Sequence, residues 1–340
     1  MAENVNVTLE DSGKVKPEDI NPVLRALYKF GAFFGFGNKL YTSNKHRKKI
    51  FFDVIVYIIL IFGSIIMLYP FYWMVMASFN ASTQDVLKTV WWPQSITEGG
   101  ILTNYITIIR DFETRVGSVG NGANYWRILI NTVVYSTVPV IIGVVVSAAA
   151  AFAFAKIDFK GKNIVFFYCL AAIMIPGPAL MTVQYCFYVQ LGWTENGLAM
   201  IIPGCFGAIM TAFFIRQYLY GLPTSIIEAA KIDGANYLRI FWSFIMPLAM
   251  PAIMAQGILS FMGCWNNLLG PQMFIDRSAR EYWHMTQALS QLETYTQSNA
   301  DFNSAEVITA SVLALIPVLV LFGIFQKTII GSIMLTGSKE

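Results

Sequence analysis

The sequence predicts an all-α, polytopic membrane protein with six transmembrane helices, and three observations predict it. Of 340 residues, 56% are hydrophobic and 13% charged, about half the charged share of an ordinary soluble domain. Six windows are apolar over the roughly 20 residues that a helix needs to cross a hydrocarbon core about 30 Å thick. They are 51–77, 128–155, 164–189, 198–215, 247–269 and 307–326. Lysine and arginine, finally, concentrate on alternate sides of these windows.

That asymmetry fixes the expected topology, because basic residues close to the ends of a span are retained in the cytoplasm. The leader 1–50 carries Lys14, Lys16, Arg25, Lys29, Lys39, Lys45, Arg47, Lys48 and Lys49; the next segments on the same side carry Lys156, Lys160, Lys162, Arg216, Lys231 and Arg239. On the other side Lys88, Arg110, Arg115, Arg127, Arg277 and Arg280 are offset by Asp85, Glu98, Asp111, Glu113, Asp276 and Glu281. Both termini are therefore expected in the cytoplasm. The net charge of +3 then reflects topology and not a nucleic-acid surface, although "KHRKK" at 45–49 also suits anionic headgroups, membrane lipids being implied partners.

The leader is polar up to Pro22, and "VLRALYKFGAFFGF" then reads as a helix lying along the membrane surface. No short apolar core with a small-residue cleavage site precedes the first span, which is expected to stay. The first outer segment, 79–126, holds "WWP" at 91–93 and the Gly-rich "GSVGNGANY" at 117–125. A loop of that length is a docking surface or filler. Pro, Gly and Asn interrupt several spans, as expected of helices that face one another or a water-filled path. Cys169, Cys186, Cys205 and Cys264 stand singly in the spans and are expected to be buried, with no disulfide framework and no zinc site. The outer segment 271–306 contains "EYWHMTQALSQLETYTQ", whose Met285, Leu289, Leu292 and Tyr295 predict a short amphipathic helix; His284 is expected at the surface.

Between the fourth and fifth spans lies "TSIIEAAKIDGANYLRIFWSFIMP", a charged stretch in an otherwise oily chain. Pro223 suits a first helical turn and Ser225 with Glu228 forms a capping box. Gly234 is the expected stop, and Asn236 the expected cap of a second helix through "YLRIFWSFIM" that runs into the fifth span at Pro247. The region 223–246 thus predicts two short angled helices, with Ala229 and Ala230 giving a low surface flanked by charge. A simple surface helix tethering two spans accounts for the same residues.

The order Glu228-Ala229-Ala230, Gly234 and Phe244-Ile245-Met246-Pro247 resembles the cytoplasmic signature of ABC importer permeases, with Phe244 and Met246 where Ile and Leu are usual. More of the chain resembles the carbohydrate-uptake branch, related to the smaller membrane subunit of maltose-type importers. The matching pieces are "NTVVYS" from Asn131, "AFAFAKIDFKGK" from Ala151, "MIPGPALM" from Met174, "EAAKIDGA", and "CWNNLLGP" from Cys264, together covering about 51–330. The leader, the Gly-rich insertion and the tail 331–340, "GSIMLTGSKE", depart from the family pattern, and no role is carried onto them.

The resemblance implies a type I ABC importer permease fold over 51–330. It implies that Glu228, Ala229, Ala230, Asp233 and Gly234 couple the membrane helices to an ATPase. Spans three to five would line the substrate path, offering Gln184, Tyr185, Trp265, Asn266 and Asn267. Aromatic faces and amides suit sugar rings and hydroxyls, although polar contacts between helices explain the same residues. Tyr282 and Trp283 would meet an extracytoplasmic sugar-binding protein. The implied partners are that protein, a second permease subunit and two ATPase subunits. Lacking a G-x-x-x-x-G-K-[ST] loop, this chain is expected to hold no cofactor, with ATP and Mg on the partner ATPase. Importers of peptides or amino-acid-like solutes share the E-A-A loop. A membrane enzyme or an ion-driven transporter would want buried carboxylates or a nucleophile with its base, and the six windows hold no such cluster.

Overall fold

In the computed structural model, residues 44–96, 99–116, 122–298 and 303–337 are described, and among them no strand occurs. The predicted surface helix of the leader and residues 117–121 of the Gly-rich insertion lie outside the described residues. The chain divides into two compact units, 1–68 and 69–340. The described part of the first, 44–68, is the body of α1 (Asn44–Ala77).

The second unit contains the end of α1 and then α2 (Thr83–Lys88), α3 (Thr103–Arg115), α4 (Tyr125–Lys156), α5 (Lys162–Ile173), α6 (Gly177–Gln190), α7 (Leu198–Cys205), α8 (Ile209–Tyr220), α9 (Ser225–Ile232), α10 (Tyr237–Ile240), α11 (Met246–Trp265), α12 (Leu269–Phe274), α13 (Met285–Ser298) and α14 (Ser304–Gly337). Among the described residues five helical stretches are long and apolar enough to cross a membrane: Val54–Ala77, Tyr125–Lys156, Leu198–Tyr220, Tyr237–Trp265 and Ser304–Gln326.

The third predicted window is not one helix. It is α5 and α6, bent by 92° at 174–176, and the count reaches six only if this pair serves as one span. The cause is local. Pro176 and Pro178 lack backbone donors and disfavour helix in the residue before each, so α5 stops at Ile173 and α6 restarts with Pro176 as its N-cap.

Helix α4 organises the bundle, packing against α7, α8 and α11. Its first half shares a core with Ile108, Phe112, Trp283, Met285 and Leu292 through Tyr125, Ile128 and Tyr135. Its second half, Val144 to Ala155, shares another with Ile215, Leu219, Ile240 and Ile253. One long helix thus ties the two ends of the unit together. The approach to α7 is close because Gly143 and Gly204 meet there: a Cβ on Gly143 would collide with the Gly204 carbonyl oxygen.

Where α7 gives way to α8, Gly207 takes φ +82°, and the broken backbone finds a partner in Ser147 of α4. The Ser147 hydroxyl accepts from Ala208 N–H at 2.9 Å and donates to the Ala208 carbonyl at 3.2 Å. A second irregularity precedes Pro247. With no donor at that position, the ladder slips into a π-helical turn, Phe241–Ile245, in which Met246 N–H bonds the Phe241 carbonyl. Consequently α10, the π turn and α11 are continuous.

The cysteines depart from expectation: Cys186 is exposed on α6 and the other three are half-buried, all as free thiols. The expected amphipathic helix is present as α13, with Met285, Ala288 and Leu292 buried.

Replacing Gly143 by Ala should overpack the α4–α7 contact and lower stability by about 1–3 kcal/mol. Gly257→Ala on α11, where a Cβ meets nothing within 4 Å, should leave stability unchanged or raised. Thermal unfolding of the detergent-solubilised protein compares the two.

Candidate functional site

Helix α9 begins one residue earlier than the capping-box reading requires. Thr224 is the N-cap, without a side-chain cap bond, and Ser225 is already helical, so the Ser225–Glu228 box is not formed. The stop is as expected. Gly234 sits at φ +79°, with its N–H on the Lys231 carbonyl and the Ala235 N–H on the Ala230 carbonyl, at 3.0 and 2.9 Å, the paired bonds of a Schellman end. Asn236 then accepts from Arg239 N–H at 2.8 Å and starts α10. As expected, the second helix runs on into the span at Pro247, as the first turn of the long Tyr237–Trp265 stretch.

The faces of α9 divide cleanly. Ile227 and Ala230 are buried in the core that holds Phe152, Leu219 and Ile240, while Glu228, Ala229, Lys231, Asp233 and Gly234 are exposed. Ala230 is thus a core residue and no part of the low exposed surface that the sequence predicts. Ile232 stands out at 86% exposure and Leu238 at 71%. Charge brackets this patch: Glu228 makes no ion pair among the described residues, and the Lys231 ammonium lies 4.9 Å from the centre of the Tyr237 ring. The connection behind it is held by cations. Lys156 donates to the Leu222 carbonyl at 2.7 Å, and the Arg216 guanidinium lies over Phe166 at 3.9 Å and Tyr220 at 4.7 Å.

A cavity of about 340 Å³ opens among α4, α7, α8 and α11, lined by Pro139, Gly143, Ser147, Thr211, Ser260 and Asn267 among others. That volume is at the small end of ordinary ligand cavities, ~300–1,000 Å³. Of the expected path residues Asn267 alone lines it. Gln184 and Tyr185 lie exposed on α6, Asn266 is exposed and folds back on the Met262 carbonyl at 3.0 Å. Trp265 is buried and stacked on Phe261 at 5.7 Å. The structure therefore brings together the second, fourth and fifth spans, not the third, around this space. Sequence reasoning missed Ser147, Thr211 and Ser260. Their signal was a small hydroxyl within an apolar window, with Ser147 one turn from Gly143.

The segment 281–286 is stitched to the start of α4 by the side chains of "NTVVYS". Asn131 donates to the Glu281 carbonyl at 2.7 Å, Tyr135 to the Tyr282 carbonyl at 2.9 Å, and Thr132 accepts from Met285 N–H at 2.8 Å. Thr286 continues the chain of bonds to the Asn267 carbonyl at 2.6 Å. Tyr282 is half-buried and Trp283 is 1% exposed; the Trp283 ring is a core element and not a surface contact. His284 also overturns its expectation. It is fully buried, bonded to Thr286 at 2.8 Å and stacked on Tyr135.

Residues 140–333 match the family of binding-protein-dependent transport system inner membrane components. The chain belongs to this family. The permease is similar to the arabinooligosaccharides transport system permease protein AraQ of Halalkalibacterium halodurans, 30% identical over 281 residues, 82% of this chain and 93% of the relative. It is also similar to the diacetylchitobiose uptake system permease protein NgcG of Streptomyces coelicolor, 28% identical over 289 residues, 83% and 87% of the two chains. Among solved structures, it superposes on a chain of a bacterial ABC transporter involved in the import of the acidic polysaccharide alginate. The TM-score is 0.63 at 21% identity, covering 85% of this permease and 99% of that chain. This likeness shows the shared permease fold.

Burial lowers the pKa of His284 from 6.5 to about 4. Between those values the unfolded chain binds a proton that the native permease refuses, so stability should fall as pH drops from about 6.5 to about 4 and be insensitive to this group above that window. His284→Asn should flatten that dependence. Thermal unfolding at a series of pH values tests it, a parallel slope in both proteins being the contrary result.

Proposed function

We propose that this chain is a membrane-spanning permease subunit of an ATP-driven, binding-protein-dependent importer for an oligosaccharide or related carbohydrate. The observation that carries this reading is the exposed elbow at 228–234, fixed by Ile227 and Ala230 to the core shared by α4, α8 and α11. Force applied to the elbow from outside the membrane reaches three spanning elements at once. Glu228 supplies the charged contact to a partner ATPase, Ala229 lets that partner approach closely, and Gly234 sets the angle between α9 and α10, with Asp233 beside it as the exposed C-cap. Ala230 acts from beneath by anchoring the elbow.

In this reading α5 and α6 together make the sixth crossing, and the distribution of Lys and Arg supports cytoplasmic termini. Two ATPase subunits carry ATP and Mg, a second permease subunit completes the path, and an extracytoplasmic binding protein delivers the sugar. The cavity with Asn267, Ser147 and Thr211 contributes polar groups to the path. Gln184, Tyr185, Trp265 and Asn266 stay as proposed path residues, Gln184 and Tyr185 facing outward from α6 where a second subunit can approach. Tyr282 is the proposed contact for the binding protein, and buried Trp283 positions it. Carbohydrate is favoured over peptide because the named relatives handle arabinooligosaccharides and diacetylchitobiose.

Coupling is tested in the assembled transporter. Glu228→Lys should abolish co-purification of the ATPase and cut sugar uptake by at least about tenfold, which corresponds to ~1.4 kcal/mol; unchanged uptake overturns the reading. Gly234→Val forces a β-branched residue into a left-handed conformation, at a cost of roughly 1–2 kcal/mol. It should lower uptake while leaving membrane insertion intact, as read by transport and by the yield of folded permease. Binding of arabino- and chito-oligosaccharides against peptides, measured on the partner binding protein by calorimetry, separates the substrate classes.

A further inference from the structure

The "WWP" segment of the outer loop is held in an unusual way. Four consecutive carbonyls each accept a hydrogen bond from a side chain: Thr89 from Trp73 Nε1 at 2.8 Å, Val90 from the Tyr69 hydroxyl at 3.2 Å, Trp91 from the Tyr72 hydroxyl at 2.5 Å, and Trp92 from Gln94 Nε2 at 3.3 Å. Three of these donors belong to the last nine residues of α1, whose apolar stretch runs over Val54–Ala77. Tyr69 stands about 12 Å back from the end of that helix at 1.5 Å per residue. The strip 89–92 therefore lies beside the last turns of the spanning helix, below its end.

Thr89 is buried, but the side chains of Val90, Trp91 and Trp92 turn outward all the same. Trp91 is 61% exposed although its ring rests against Tyr69 at 5.4 Å and Tyr72 at 6.4 Å, Trp92 is 70% exposed and Leu87 is 81% exposed. Charge is sorted across the same short stretch. The half-buried Asp85 has its carboxylate engaged, accepting from Ser82 at 2.7 Å and Ser95 at 2.6 Å, whereas Lys88 is exposed beside the tryptophans.

We propose that Trp91 and Trp92, with Leu87 and Lys88, form a wedge seated in the interfacial layer of the bilayer, the indoles at the boundary between headgroups and acyl chains. Three physical arguments converge on a lipid occupant. Irregular backbone at membrane depth is tolerated only when its polar groups are satisfied by protein, and that is the state of these four carbonyls; in open water such capping would bring little. Indole rings, apolar with one polar edge, prefer this layer. The outward Lys88 faces lipid phosphates, while the nearby carboxylate is occupied by two serine hydroxyls. The tyrosine and tryptophan donors on α1 thereby set the depth of the loop, and the loop in turn fixes the level of the first span.

Reconstitution of the full chain into vesicles of phosphatidylcholine and phosphatidylglycerol tests the wedge. Tryptophan emission is recorded with lipids brominated near the top of the acyl chain or deep within it, for the natural protein and for W91F/W92F. The difference emission belongs to the two indoles. It should be quenched at least twofold by shallow bromolipid, less by deep bromolipid, and little by aqueous acrylamide. Quenching by acrylamide instead would place the segment in water. Emission indifferent to both quenchers would mean that another protein surface covers it, and either result overturns the proposal. Should the double variant fold poorly, W92F alone gives the same comparison, since the Trp92 ring makes no ring contact among the described residues.

Discussion

Backbone polar groups that leave a regular helix inside a membrane must be satisfied by the chain itself, and this constraint governs where the permease allows its helices to break. Several irregularities among the described residues have a side chain assigned to them. Ser147 serves both backbone groups of Ala208 where α7 ends and α8 begins. Asn80, fully buried just past α1, donates to the Ala77 carbonyl and to Thr89 Oγ1, at 3.0 and 2.8 Å, and accepts from Gln94 N–H at 2.8 Å. Asn104 donates to the carbonyls of Ser78 and Asn80 at 2.7 and 2.9 Å, and Thr309 of α14 joins them on the Ser78 carbonyl. The segment after α1 is thereby tied to α1, α3 and α14 by amides and hydroxyls, not by disulfides.

This division of labour explains which features were legible in the sequence. Apolar length is visible in composition, so the windows that became α4, α11 and α14 could be read directly. The stop at Gly234 and the cap at Asn236 were legible because each depends on one residue type in a fixed local geometry. The break at 174–176 was not, although Pro176 and Pro178 were in plain view, because a proline can kink a helix slightly or end it, and tertiary packing decides which. The same limit applied to Trp283, His284 and Ala230. Their burial depends on Tyr135, Phe152 and Leu219, residues distant in sequence that no local pattern connects to them.

The motif "NTVVYS" shows how a resemblance acquires a physical meaning. Its Asn131, Thr132 and Tyr135 lie on one face of α4 and hold three backbone groups of 281–285. Thr286 passes the connection to the Asn267 carbonyl beside the cavity. The segment 281–286 is thus linked through hydrogen bonds to the end of the long Tyr237–Trp265 stretch. Three consecutive buried residues, Trp283, His284 and Met285, leave it little freedom to move independently of α4.

Transmission from the elbow to the cavity follows from the same rigidity. In the proposed coupling, a partner that binds both states of the permease equally shifts nothing, however tightly it holds, so α9 would have to be placed differently in the two states. Ile227 and Ala230 share their core with Phe152 of α4, Leu219 of α8 and Ile253 of α11, and a close-packed interior moves as a body or rearranges between discrete packings. A displacement of α9 is therefore delivered to all three helices together. Ser147 and the Gly143–Gly204 approach lie on the path of that displacement and also line the cavity. In the proposed coupling, the space where polar groups converge is the space whose dimensions the elbow would set, because glycine leaves no side chain to absorb the movement.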